Sequence, residues 1–365
     1  MKRLLLISLM TCLMPGGAIA QSVSVSPDTA LLGFRFRNIN FMRDNEYANP
    51  LTEGYTLLGF LIQPSIVYSP VPVIKMSLGV QLQSYAGAAS INSPVLIFST
   101  SFRLTRKTTL ILGTLDGCEK HRLDDPVFYR ERMYTAQTES GLRLFSEDEH
   151  LFCDIWVNWE NFVFKNDTTR EKFLIGESFN YLSPGFLNGF SLEVPLQMVF
   201  RHLGGQISNY PEHVETFFDG SVGLKFNYDI SGGQGGRLSL EYKQLRFQYI
   251  SAHGDFSIKY GDASWIRFNY SIGQFRFGTW YWRGHDFYAP EGNPIYSSVS
   301  ERTPDLIVPD RSVWTASAGF TIHPVKFFEL YAGAESYFDL RSNHLDAALM
   351  LHLRFDQTFT LKEFR

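Results

Sequence analysis

The most constraining feature of this sequence is a strict alternation of side chains near its C-terminus. Between His344 and Phe359 one set of alternate positions is apolar: Leu345, Ala347, Leu349, Leu351, Leu353 and Phe355. The other set is mostly polar: Asp346, Ala348, Met350, His352, Arg354 and Asp356. Because successive side chains of a β-strand point to opposite faces, this period of two places the two sets on opposite sides of one strand. The two faces are therefore suited to different solvents.

The N-terminus has the layout of a cleaved export signal. Its parts are the positive start Met1 to Arg3, the apolar run Leu4–Met14, and the small residues Ala18 and Ala20 before Gln21. We predict a signal peptide over residues 1–20 and a single domain over 21–365. The apolar run is too short to span a bilayer. Lipidation at Cys12 is the alternative, but the residues before it are bulkier than such a site usually has.

Alternation behind an export signal is typical of a transmembrane β-barrel, whose strands are apolar toward lipid and polar toward the lumen. No later segment has eighteen consecutive apolar residues, and mean hydropathy is only -0.11 because lumen residues dilute the lipid-facing ones. The aromatic content is 15%, which girdles at two membrane interfaces would use. We therefore expect a protein of the outer membrane of a Gram-negative bacterium.

The same pattern recurs along the chain in about sixteen segments, with fourteen as the lower possibility. The predicted strands are 31–43, 55–68, 73–87, 94–104, 107–116, 140–146, 150–162, 172–182, 189–202, 215–229, 237–250, 256–270, 273–285, 312–322, 325–338 and 344–357. Short connections alternate with long ones, as periplasmic turns alternate with extracellular loops in outer-membrane proteins. The fold class is thus all-β, an antiparallel barrel. In the segment 237–250 the phase of the alternation slips near Gln244, which predicts a β-bulge.

Charged residues on these strands are expected to face the lumen. A charge on the lipid face at mid-depth costs about 2–4 kcal/mol, so Arg35 and Arg37 should point inward. The same reasoning places Glu329 and Glu335 in the lumen. Removing Lys2 and Arg3 from the 33 basic residues leaves 31 against 37 acidic ones, a net charge of -6. This mild acidity argues against a nucleic-acid partner.

Two regions carry the polar residues most suited to a functional site. The loop 116–140 contains His121, Arg122, Asp124, Asp125, Arg130, Glu131 and Arg132. It could fold into the barrel mouth and narrow a pore, or it could be a solvated outer loop whose charges pair locally. The predicted strand 150–162 carries Asp154, Trp156, Asn158 and Glu160, which could form a sugar-stacking platform. The simpler interpretation puts Trp156 inside and Trp159 in the lipid girdle.

The sequence offers little support for catalysis. The histidines are scattered, no serine has a recognisable nucleophile setting, and no metal-binding spacing is present. We therefore expect no enzyme, no cofactor and no metal. The two remaining cysteines, Cys118 and Cys153, are expected to be spare thiols, although a bridge stays possible for an exported protein.

Several motifs resemble a family of porin-like outer-membrane barrels of the Bacteroidota. They are Asn45-Glu46-Tyr47-x-Asn49-Pro50, Gly54-Tyr55-Thr56-Leu57-x-Gly59, Gly113-Thr114-Leu115-Asp116-Gly117, His121-Arg122-Leu123-x-x-Pro126, Glu131-Arg132, Asp154-x-Trp156-Val157-x-Trp159-Glu160 and Gly204-Gly205-Gln206-Ile207. They cover most of the first two-thirds of the chain. The resemblance implies fold and location and brings no catalytic residues.

Two functions from different classes follow. The first is a porin-like channel for small solutes, whose opening the loop 116–140 narrows; a barrel of this size holds water unless loops plug it. The second is a non-conducting subunit or scaffold, with loops 116–140 and 286–311 docking lipoproteins or another barrel for glycan capture or barrel assembly. Either protein would contact outer-membrane lipids and, during biogenesis, the barrel-assembly machinery.

Overall fold

A computed structural model describes residues 30–89, 92–136, 138–185, 189–205, 207–230, 235–251, 254 and 256–364. The predicted signal peptide lies outside the described residues. Within these ranges no helix has both the length and the apolar character needed to cross a membrane.

The described residues form sixteen antiparallel strands that close into one barrel. The strands are β1 (Ala30–Glu46), β2 (Tyr55–Val71), β3 (Ile74–Tyr85), β4 (Val95–Arg103), β5 (Thr108–Thr114), β6 (Ser140–Glu147), β7 (Leu151–Asn161), β8 (Glu171–Leu182), β9 (Phe190–Gly204), β10 (Glu215–Asp229), β11 (Arg237–Tyr249), β12 (Tyr260–Ile272), β13 (Phe275–His285), β14 (Asp310–Val325), β15 (Phe328–Asp339) and β16 (His344–Phe364). Each strand pairs with its sequence neighbours, and β1 pairs with β16 to complete the ring. The predicted fold and strand number are confirmed.

The last strand is longer than predicted. The alternation ends near Phe355, but β16 continues to Phe364 because β1 begins at Ala30 and pairs with it along the whole length. The register runs from Glu46 opposite Ala347 to Ala30 opposite Phe364, with one shift at Leu32. The end of this strand is thus set by main-chain pairing with β1 and not by the alternation of its side chains.

The predicted bulge near Gln244 is wrong. β11 pairs with β10 and with β12 in one continuous register across this position. Leu240 and Tyr242 point outward and are exposed, whereas Leu245 and Phe247 point inward and are buried. The apolar residues change faces because the part of the lumen next to Leu245 and Phe247 is itself apolar.

Two long loops fill that part of the lumen. The first joins β5 to β6 and contains a 3₁₀ turn at Cys118–His121 and the short helix α1 (Arg132–Thr135). The second joins β13 to β14 and contains a 3₁₀ turn at Pro294–Tyr296. We call residues 115–139 the plug and residues 286–309 the cap. They contact each other: the amide of Tyr129 donates to the carbonyl of Glu291, 2.7 Å away, and Asn293 Nδ2 donates to Asp125 Oδ2 at 2.7 Å.

The plug and the cap build a dry core at the long-loop end of the barrel. Buried residues from both loops, among them Val127, Phe128, Phe287 and Tyr296, pack with inward residues of the wall. The indole Nε1 of Trp280 donates to the Tyr296 hydroxyl at 2.8 Å, and the rings of Trp282 and Phe287 lie 5.0 Å apart. The lumen is therefore filled at one end. The sequence left open whether loops plug the barrel, and at this end the plug and the cap do so.

Candidate functional site

The plug is held to the wall by buried ion pairs, and His121 lies at the centre of one cluster. His121 Nδ1 lies 2.9 Å from Asp154 Oδ2, and its Nε2 lies 2.8 Å from Glu139 Oε2. Arg143 also binds Asp154, through Nε at 2.8 Å and Nη2 at 2.9 Å. All four side chains are buried. Burial alone lowers the pKa of His121, but the carboxylates of Glu139 and Asp154 outweigh it and raise the pKa above the usual 6.5.

Trp156 forms the floor of this cluster. Its ring stacks on the imidazole of His121, with centroids 3.7 Å apart and planes 9° apart. The indole lies flat on the backbone of the next strand, at Gly176, where any side-chain atom would overlap it. Trp159, of opposite parity, is exposed. Trp156 is thus sealed beneath the plug, where no sugar can stack on it. The interpretation with Trp156 inside and Trp159 outside describes the geometry.

A second cluster surrounds Glu131. Arg43 Nε lies 2.6 Å from Glu131 Oε2, and Asn45 Nδ2 donates to the same oxygen at 2.9 Å. The hydroxyl of Tyr55 donates to Glu131 Oε1. Arg43, Asn45 and Glu131 are buried. The side chains of the β1–β2 hairpin thus hold the helical end of the plug.

Asp124 anchors the opposite side of the plug. Its carboxylate pairs with Lys243 of β11 and with Arg267 of β12, whose Nη2 lies 3.5 Å away. Both cations also pair with Glu241. Burial alone would raise the pKa of Asp124, but the two cations outweigh it and hold the pKa below its usual value.

The remaining predicted residues complete this inward network. Asp125 and Glu335 both bind Arg130, Glu335 at 2.9 Å, and Arg132 binds Glu160 at 3.3 Å and Glu291 of the cap.

Arg37 binds Glu119 at 2.6 Å, Arg35 binds Asp356 at 2.7 Å, and Glu329 lies 3.1 Å from His352. Asn158 accepts from the amide of Ser140, and Arg122 pairs with Glu147 at the short-turn end. Arg35, Arg37, Glu329 and Glu335 all face inward as predicted; whether any of these residues lines a conducting pore stays a prediction.

A cavity of about 1120 Å³ occupies the lumen beneath the plug and reaches the short-turn end of the barrel. Residues of the plug form its roof, and residues near the turns, such as Arg237, Gly273 and Arg276, lie at its opening. Lys120 and Arg276 line it, are exposed, and make no ion pair within the described ranges. The lumen therefore has two unlike halves, a dry plugged one and a wet, basic one.

A different polar pair lies outside the barrel, on its outer wall. Asp44 of β1 and Thr56 of β2 face each other in the register, and Thr56 Oγ1 donates to Asp44 Oδ1 at 2.5 Å. Asp44 is half-buried and Thr56 is exposed. Exposed apolar side chains adjoin the pair: Leu349 lies opposite Asp44 on β16, and Leu58 is the next outward residue of β2. The pair thus borders the apolar belt near the long-loop end.

A cleft of about 500 Å³ adjoins this pair at the rim. It is lined by Glu46, Glu53, Thr56 and Arg302, among others. Arg302 Nη1 donates to the carbonyl of Asn49 at 2.9 Å, which fixes it over the β1–β2 loop. Sequence reasoning missed the pair. The only signal was a polar Asp44 at an outward position of β1, and its partner became visible only through the register.

Within the described ranges no group of three or more His, Cys, Asp or Glu side chains is placed to hold a metal ion. Cys118 is a free thiol, and burial raises its pKa. Cys153 lies on β7.

Comparisons with known proteins give a family and a fold. The model of the lipid A 3'-O-deacylase-type family matches residues 25–364. No curated protein matches the chain. A loop L8 deletion mutant of OmpT, an outer membrane protein of Vibrio cholerae, is 8% identical with a TM-score of 0.52, over 90% of this chain and 99% of that one. Pseudomonas aeruginosa OccK2 (OpdF), solved in complex with glucuronate, is 12% identical with a TM-score of 0.50, over 91% and 98%. At these identities the solved structures show the fold alone.

These findings correct one expectation from the sequence. The expectation that the chain is not an enzyme is contradicted, because the matched family is named for an enzymatic reaction. The sequence carried no sign of it because the expected signal was a histidine base with a serine nucleophile on neighbouring strands, and the pairing of one strand with another cannot be read from the sequence. The structure instead brings a carboxylate and a hydroxyl together from two strands.

Proposed function

Because this chain belongs to the lipid A 3'-O-deacylase-type family, we propose that it hydrolyses an acyl ester of a lipid A-type glycolipid in the outer leaflet of the outer membrane. The observation that carries the proposal is the 2.5 Å contact between Thr56 Oγ1 and Asp44 Oδ1 on the outer wall. The ester bonds of such a lipid lie between its sugar headgroup and its hydrocarbon chains. The pair lies at the same kind of boundary, between the rim cleft and the apolar belt.

In the proposed chemistry Thr56 is the nucleophile and Asp44 is the base in both half-reactions. Asp44 takes the proton of the Thr56 hydroxyl as Oγ1 attacks the ester carbonyl, and the sugar alcohol leaves with that proton. Water then attacks the acyl-threonine and gives a proton to Asp44, and Asp44 passes this proton to Thr56 Oγ1 as the bond to the acyl group breaks and the fatty acid is released. In the cleft above, Glu46 and Glu53 can accept hydrogen bonds from sugar hydroxyls, and Arg302 can pair with a phosphate.

The test measures fatty acid release from lipid A vesicles by purified protein, with mass spectrometry of the products. Asp44→Asn and Thr56→Val should each lower the rate at least a hundredfold, because each removes one partner in the proton transfer. Thr56→Ser keeps the hydroxyl and should retain activity. The matched control is Asp262→Asn, since Asp262 is also an exposed acid at the long-loop end of its strand, beside Arg246 and His285 in the register. Absence of fatty acid release by the native protein contradicts the proposal.

A second candidate function is regulated passage of small solutes, and the cavity of about 1120 Å³ favours it. In this case the plug closes the route at its long-loop end and must move before a solute passes. Lys120 and Arg276 make the cavity attractive to anions. The sequence predicted that the loop 116–140 narrows a pore. In this second candidate function the plug, which is formed by that loop, closes the pore completely.

Planar bilayer recordings test the second candidate. The native protein should be mostly silent, and Asp154→Asn should produce stepwise, anion-selective currents, because this change removes the carboxylate that holds His121 and Arg143. Glu147→Gln serves as control, since the Arg122–Glu147 pair is exposed and outside the buried cluster. Silence of both variants contradicts regulated passage and leaves the hydrolase proposal unaffected.

Three expectations from the sequence stay predictions. They are the origin in the Bacteroidota, the signal peptide, and the docking of lipoprotein or barrel partners on loops 116–140 and 286–311. Much of both loops is buried inside the barrel, so the surface they offer a partner is confined to exposed segments such as residues 301–305. Co-purification from native membranes tests such docking.

A further inference from the structure

Two apolar grooves run along the outer wall and meet next to the Asp44–Thr56 pair. The first groove, of about 510 Å³, crosses β13 to β16 and ends at Met42 of β1. The second groove, of about 500 Å³, crosses β16 and β1 to β3. Both are lined by Met42 and Leu351. These two residues are register partners, one outward position below Asp44 and Leu349.

The first groove follows two rows of outward side chains across the strands. One row begins at Asp44 and runs through Leu349, Ala334, Ala318 and Phe277. The row below it runs from Met42 through Leu351, Ala332, Phe320 and Phe275. The three alanines form the floor, and the phenylalanines and leucines form the walls. Four interstrand spacings give a length of about 19 Å, close to that of an extended long-chain fatty acyl group.

The second groove leads away on the other side of Asp44. Its outward residues include Met42, Leu58 and Phe60, and its floor is lowered at Ser84, which faces Phe60 in the register. On the face of a transmembrane barrel, only hydrocarbon can fill a depression of this kind. The occupants of both grooves are therefore acyl chains of membrane lipid.

We propose that the two grooves bind two acyl chains of one lipid molecule, with the ester of the chain in the first groove held at Asp44 and Thr56. This inference rests on the proposed hydrolase function and adds to it the places on the outer wall where two acyl chains of the substrate bind. An acyl chain that lies in the first groove reaches Asp44, because Asp44 is the last residue of the upper row of side chains that lines this groove. The second groove holds a neighbouring chain of the same molecule and fixes the headgroup in the rim cleft.

The first experiment compares rates on synthetic disaccharide lipids that carry two long acyl esters, one long acyl ester, or only butyryl esters. Ala334→Phe fills the first groove and should lower the ratio of long-chain to butyryl hydrolysis at least tenfold. Ser84→Phe fills the second groove and should lower the rate on the two-chain lipid relative to the one-chain lipid. Val222→Phe is the matched control, because Val222 is an exposed, outward residue of β10, remote from both grooves. If the two groove variants keep the native ratios, the inference is overturned while the hydrolase function stands.

The second experiment measures binding without catalysis. The native protein is reconstituted with a diacyl lipid that carries a diazirine in one chain, and photolabelled peptides are mapped by mass spectrometry. Labelling should be several-fold higher at Ala318, Ala332 and Leu351 than at Val222 and Leu224, which face bulk lipid. Uniform labelling around the barrel overturns the inference. Enriched labelling without any fatty acid release sustains binding in the grooves and contradicts the proposed hydrolysis.

Discussion

The two halves of the lumen differ in their contents, and β11 passes through both. Near the short turns its inward residues are Ser239, Glu241 and Lys243, which face the wet cavity and the ion pairs at its roof. Near the long loops its inward residues are Leu245, Phe247 and Tyr249, which pack in the dry core. The polarity of a lumen-facing position is therefore set by what fills the lumen at that height. A strand can carry apolar residues on both faces along its length without a bulge.

The largest expected effect follows from the buried cluster at the base of the plug. Asp154→Asn leaves Arg143 and His121 without their shared carboxylate, and it should lower the free energy of unfolding by about 3–5 kcal/mol. Urea titration of the protein in detergent measures the change. Glu147→Gln removes one charge of the exposed Arg122–Glu147 pair in the same way. It should lower the free energy of unfolding by less than about 1 kcal/mol. Equal costs at the two pairs would contradict the division between a buried plug cluster and an exposed rim.

A slightly smaller effect tests the dry core. Phe247→Ala removes a fully buried ring that packs against Phe256 and Tyr288, and it should cost about 3 kcal/mol. Ser239→Ala, at an inward position of the same strand beside the cavity, should stay within about 0.5 kcal/mol. Thermal unfolding in detergent compares the two variants. Similar losses would mean that the lumen is equally packed at both heights.

The plug should also loosen with rising pH. Burial lowers the pKa of His121, but the carboxylates of Glu139 and Asp154 outweigh it, so the pKa is higher in the folded protein than its usual 6.5. Arg143, which shares Asp154 with His121, is the cation that faces the ring. The stability that His121 contributes is therefore fully present below about pH 6.5 and lost as the pH rises through its folded pKa. Unfolding midpoints in urea between pH 6 and pH 9 measure this slope. His121→Phe should remove most of it, and an unchanged slope in that variant would assign the pH dependence to other groups.

The smallest effect concerns the reactivity of Cys118. Burial raises the pKa of this thiol, so little thiolate forms at pH 7 and alkylation by N-ethylmaleimide should be very slow. Peptide mapping locates the label. Labelling of Cys118 should accelerate in Asp154→Asn, where the plug is less firmly held, and should keep the native rate in Glu147→Gln. Fast labelling of the native protein would contradict the slow reaction that burial of this thiol predicts.

Much of the fold followed from the sequence because a strand in a membrane barrel must present every second side chain to lipid. The alternation at Leu345–Phe355 predicted one strand, and its recurrence predicted sixteen. The inward direction of Arg35 and Glu329 followed from the cost of a charge in hydrocarbon. The sequence also showed that the apolar residues of β11 move from one face of the strand to the other. The cause was not visible, because the sequence of one strand does not say which loop packs against it.

The sequence by itself determined the two-faced strands, their number and the polar composition of the loop 116–140. The tertiary structure decided that this loop fills the lumen, which wall residues bind it, and that Asp44 meets Thr56 on the outer wall. The physical reason is the range of the interactions. Lipid imposes its preference on each strand separately, whereas an ion pair or a hydroxyl–carboxylate contact forms between segments far apart in the chain, and only the closed barrel fixes which segments meet.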